Sequence, residues 1–253
     1  MIAWLLVSTA LLMQTEKYYK EQDHGKAFIT YFKALEDSPP TLIAEPMTVE
    51  EKKLYDDALA LYLDPREKDK EQQSLKIRDR YAGVWKLHQN YAHLGYLVAI
   101  AYANLGDYSE FFEVFYKSYQ LIPNHFLSFK AQGLLYIKLY DLARTPEEKE
   151  KLRKLVFQSF KKAKELYPKD STLYKMEIAF SKDKESTLVM NLKEILEKDI
   201  VIPRSDLSFY FDLLFAHGKE KLAQEFLEKT RVWYPYSRTL DAAEEKIKSN
   251  EIK

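Results

Sequence analysis

Residues 92–125, AHLGYLVAIAYANLGDYSEFFEVFYKSYQLIPNH, decide the fold. Ala99 and Tyr102 stand three apart, on one face of a helix. Gly106 stops that helix, because glycine accepts the left-handed backbone that a helix C-terminus favours, and Asp107 is placed to cap the next one. Tyr108, Phe111, Phe115 and Ser118 continue at steps of three and four, and Pro123 closes the second helix. The unit is a helical hairpin of 34 residues.

The skeleton returns at 204–237, where Phe211, Leu214, Gly218, Ala223, Leu227 and Pro235 stand in matching register. Both units place Pro seventeen residues after Gly, in a chain with only 6 Gly and 9 Pro. A third copy carries Gly133 and Tyr136 on its first helix and Phe160, Ala163 and Pro168 on its second. It is longer by about eleven residues, which include Thr145-Pro146-Glu147-Glu148. A cap, a proline at the first helical position and a Glu three residues after the cap lengthen the second helix rather than add a loop. Ala27, Tyr31, Ala34 and Pro39 read as a weaker second helix, and Ala58 to Pro65 ends like one. Residues 171–203 are helical but lack the small-residue pattern.

This pattern resembles the tetratricopeptide repeat (TPR) family: Ala99, Tyr102, Gly106, Tyr108, Phe115 and Pro123 match its motif. Phe111 and Ser118 stand where small residues are common, and Gly95 stands where the family has a tryptophan. The resemblance implies an all-α fold, a right-handed superhelical solenoid of stacked antiparallel helical hairpins. Residues 14–253 then form the solenoid, with an irregular helical insert at about 42–91 and a C-terminal cap helix at about 238–250. In the insert, Thr48 with Glu51 makes a capping box for a helix to about Leu63. Pro65 opens another, to about Gln89, with Tyr81, Trp85 and His88 along one side. In the cap helix, Leu240, Ala243 and Ile247 form one apolar stripe among charges.

Residues 2–13, IAWLLVSTALLM, carry no charge. Twelve helical residues reach about 18 Å, short of a bilayer core of about 30 Å. The run 1–13 therefore reads as a secretion signal or membrane anchor, or as an extra core helix. Tyr234-Pro235-Tyr236-Ser237, followed by Ala242 and Ala243, is similar to the hairpin ends of bacterial envelope TPR proteins. Together these point to the cell envelope, periplasmic or anchored in the inner membrane, with the cytoplasm as the alternative.

Chemistry finds little foothold. The absence of Cys removes disulfides, thiolate nucleophiles and zinc knuckles. The five His show no i,i+4 pair, so no helical metal site and no cofactor are expected. The glycine-rich phosphate and nucleophile-elbow motifs do not occur. Lys and Arg number 39 and Asp and Glu 39, which argues against bulk attraction to nucleic acid. Phe111, Phe115 and Tyr119 read as core rather than as a base-stacking platform, with Lys117 the one basic neighbour on their helix.

The resemblance implies that the first helix of each hairpin lines a concave face. Tyr96, Ile100 and Asn104 form one stripe there, Lys130, Leu134 and Lys138 the next, and Phe209, Asp212 and Ala216 the last. Such a face suits a protein or peptide ligand. The expected function is a non-enzymatic scaffold or adaptor. Its alternatives are a cytoplasmic TPR-type secretion chaperone and a regulatory or oligomerisation subunit of an enzyme.

Overall fold

The computed structural model describes residues 46–64 and 69–251, together with Thr30. The apolar run 1–13, the repeat around Ala27 to Pro39 and the helix start at Pro65 lie outside the described residues. Among the described residues the chain is all-α, with eleven α-helices, one short 3-10 turn and no strand. They are α1 (Val49–Leu63), α2 (Lys70–Leu87), α3 (Ala92–Leu105), α4 (Tyr108–Leu121), α5 (Phe126–Leu142), α6 (Pro146–Leu166), α7 (Ser171–Phe180), α8 (Lys184–Glu197), α9 (Leu207–Ala216), α10 (Glu220–Trp233) and α11 (Arg238–Glu251). Helices α1–α6 pack as one unit and α7–α11 as a second.

The hairpin turn at Gly106 is built as its glycine suggests. Gly106 takes φ +83°; its N–H donates to Ala103 O at 3.3 Å, and Asp107 N–H donates to Tyr102 O at 3.0 Å. That pair of bonds satisfies two carbonyls the helix end would leave bare. Asp107 does not cap α4 through its side chain; its carboxylate stands 4.0 Å from the Arg78 guanidinium of α2. In the second unit Gly218 repeats the geometry, at φ +60°, with Gly218 N–H on Phe215 O and Lys219 N–H on Leu214 O. The α5–α6 turn uses the other device. Thr145 Oγ1 accepts from Glu148 N–H at 3.1 Å, and Glu148 Oε2 accepts from Thr145 N–H at 3.3 Å. A helix therefore opens at Pro146 and runs for 21 residues.

Close approach explains Gly95. A methyl group there would fall inside contact distance of Ser118 Oγ and 2.6 Å from Trp85 Nε1. The indole of Trp85, from α2, thus presses on the backbone of α3. Gly133 plays the same part in α5, where an added methyl would meet the buried Phe160 ring of α6 at 2.8 Å. Tyr81, Trp85, Tyr96, Phe111, Phe115 and Phe160 are all fully buried in this unit. Each such side chain contributes about 1.5–3 kcal/mol by leaving water.

The second unit has one continuous core from Tyr174 and Leu188 through Tyr210, Phe211 and Phe226 to Leu240, Ala243 and Ile247. The last three are the apolar stripe of α11, which packs on α9 and α10. Helix α2 opens at Lys70, where Asp69 Oδ1 accepts from the N–H groups of Glu71 and Gln72. Helix α8 ends at Glu197 on Asp199, whose φ of +52° places a non-glycine residue in the left-handed region.

Candidate partner-binding face

The first two expected stripes lie on α3 and α5, and the structure fills them from within. Tyr96 is fully buried; its hydroxyl donates to Ile122 O at 2.6 Å, and its ring stacks on His125 at 5.3 Å with the planes 3° apart. Burial raises its phenol well above the usual range. Ile100 is buried as well. Asn104, half-buried, donates from Nδ2 to Ser74 Oγ of α2 at 3.1 Å. Lys130 is only 4% exposed, with Nζ 4.4 Å from the centre of the Tyr62 ring of α1. Leu134 is half-buried. Lys138 reaches back to the α3–α4 turn, donating to Ala103 O at 2.6 Å and to Tyr108 Oη at 3.1 Å. Its ammonium therefore ties α5 to a helix C-terminus, where a cation is favoured.

So none of these six side chains stands open as a concave stripe would. Different neighbours close them: Tyr62 of α1 lies against Lys130 and Ser74 of α2 holds Asn104, while Tyr96 is enclosed by Phe115, Ile122 and His125.

Around them lies a cluster that sequence reasoning did not find. His93 Nδ1 is 3.3 Å from Glu51 Oε1. The His93 and His125 rings meet edge to face at 5.1 Å, and Tyr55 of α1 packs edge-on against both, at 5.5 and 6.1 Å. His125 precedes α5, and its Nδ1 accepts from Leu127 N–H at 3.3 Å. Burial, with His93 adding a smaller push, lowers the His125 imidazole to about 3. It is neutral at ordinary pH, with its proton on Nε2. The two histidines are 32 positions apart in the chain, and no local period links them. The one legible fragment was the Thr48–Glu51 spacing. Thr48 Oγ1 does accept from Glu51 N–H at 3.1 Å, while the Glu51 carboxylate turns to His93.

The third stripe, on α9, is different. Asp212 and Ala216 are exposed, and Phe209 is half-buried with its ring beside Tyr210 and the Lys175 ammonium 5.5 Å from its centre. Lys175 in turn pairs with Asp206 at 2.7 Å. Among the described residues no group of three His, Asp or Glu is placed to hold a metal ion, and no helix is long and apolar enough to cross a membrane. No family model and no curated protein matches the chain.

Proposed function

We propose that the chain is a non-enzymatic scaffold of the TPR type, which holds a peptide or helix of another protein against the first helices of its hairpins. The observation that carries this reading is the return of one construction in two separately packed units. Gly106 and Gly218 both adopt the left-handed backbone and make the same two hydrogen bonds, each followed by a second helix of 14 residues. Local turns of one design, repeated, are how a solenoid is assembled. Contacts between next-but-one helices add support: α1 with α3, α3 with α5, α8 with α10 and α9 with α11. The right-handed superhelix belongs to this proposal, as does a cell-envelope location resting on the apolar run 2–13.

The open stripe on α9 is the place to test it. Replacing Tyr96 and Lys130 is a poor test, since both are buried and their loss would disturb the core. Asp212→Arg with Ala216→Arg alters exposed positions instead. Cross-linking of the tagged chain in its native cell, followed by mass spectrometry, should capture a protein partner with links near 207–216. The double variant should lose it while keeping its helical circular dichroism. Capture unchanged in the variant would remove α9 from the binding face.

A further inference from the structure

Helix α1 touches the rest of its unit in an unusual way. Its buried residues are Glu51, Tyr55, Ala58 and Tyr62, spaced four, three and four apart as one stripe. Most of its other residues are exposed, and Ala58 is the one aliphatic side chain in the stripe. Leu54, Leu59, Leu61 and Leu63 are half-buried and Gln73 Nε2 of α2 donates to Leu61 O at 2.7 Å, while the side-chain contacts of α1 towards α3 and α5 are polar and aromatic. Glu51 faces His93, Glu50 Oε2 accepts from Tyr91 Oη at 3.4 Å, Tyr55 lies against His93 and His125, and Tyr62 lies under the Lys130 ammonium. Helix α2 contrasts with it, burying Ile77, Tyr81 and Trp85 in the core.

The surface beneath α1 is thus defined by chemistry. It offers an imidazole and an ammonium to acidic and aromatic groups, and the ammonium is that of Lys130, one of the positions where the repeat resemblance places a ligand. A single amphipathic helix laid on such a face is a recurrent recognition mode. We propose that α1 is an in-cis occupant of the partner face, and that the partner is an amphipathic helix of another protein with the same acidic-aromatic stripe, which displaces α1. The stripe is Glu-x-x-x-Tyr-x-x-Ala-x-x-x-Tyr, as in residues 51–62. This inference rests on the scaffold reading and specifies its ligand. It also gives the scaffold a closed state, since a face covered by its own helix binds more weakly in proportion to the fraction of time it is open.

The test uses a fluorescein-labelled peptide of residues 48–64 and the full chain. Tyr55→Ala with Tyr62→Ala in the chain removes the aromatic grip of α1 and leaves the α3 and α5 side chains in place. The variant should bind the peptide at least about 10-fold more tightly than the unaltered chain. A peptide carrying Glu51→Lys should bind the variant at least about 10-fold more weakly. Equal affinity for variant and unaltered chain, or no binding by a variant whose α3 amides remain protected from hydrogen exchange, overturns the proposal. A second measurement needs no variant. Excess peptide added to the unaltered chain should speed amide exchange in 49–63 and leave 92–105 unchanged; no acceleration overturns the proposal equally. If α1 stays in place while the α9 substitutions still abolish capture, the in-cis occupant falls and the scaffold stands. If the peptide displaces α1 but no protein partner is captured, the scaffold reading falls instead.

Discussion

Acidification offers a sharp test of the cluster beneath α1. The His125 imidazole titrates at about 3 in the folded protein because burial, and secondarily His93, disfavour its charged form. In the unfolded chain it titrates near 6.5. Between those values the unfolded state binds the extra proton, so stability falls as pH drops through about 6.5 and keeps falling towards 3. Linkage from pH 7.5 to pH 5.0 gives a loss of about 2 kcal/mol from this one group. Protonation of Nδ1 would also cancel the bond that His125 accepts from Leu127 N–H. Asn is a good N-cap that does not titrate, so His125→Asn isolates the contribution. Urea unfolding of both proteins at the two pH values, followed by circular dichroism, gives four free energies. The gap between His125→Asn and the unaltered chain should shift by about 2 kcal/mol in the variant's favour at pH 5.0. A shift below about 0.5 kcal/mol would mean that His125 titrates almost as it does in water, and would refute its burial against Tyr96 and Tyr55.

Three further outcomes follow from backbone and packing. Gly95→Ala should destabilise by about 1–3 kcal/mol, because its methyl meets Ser118 and Trp85, whereas Gly83→Ala, exposed in α2 with nothing within 4 Å, should stabilise by about 0.5–1 kcal/mol; thermal melts should show opposite shifts. Gly106→Ala should cost about 1–2 kcal/mol at φ +83°, and Asp199→Gly should recover about 1 kcal/mol at φ +52°, less whatever its exposed pair with Lys229 contributes, both read by urea midpoints. Deleting 238–253 should lower the melting temperature, since Leu240, Ala243 and Ile247 would leave the core of the second unit bare; an unchanged value would refute the role of α11 as a cap.

The sequence alone determined the two glycine turns and the capped start of α6, though not the break between α7 and α8. Gly106, Gly218 and Thr145-Pro146-Glu147-Glu148 act within one turn of chain, so their meaning survives without knowledge of the neighbours. The stripe of α11 was legible for the same reason: Leu240, Ala243 and Ile247 share a face in any helix. Tertiary structure alone decided which helical faces remain open. Tyr96 and Lys130 occupy the surface register that the pattern assigns, yet both are buried, Tyr96 among Phe115, Ile122 and His125 and Lys130 against Tyr62 of α1. Burial is a property of what packs on a residue, and that partner can be dozens of positions away. The pairing of His93 with Glu51, the stacking of His125 on Tyr96 and the lowered affinity of His125 for a proton all arise in this way, from contacts that no local spacing encodes.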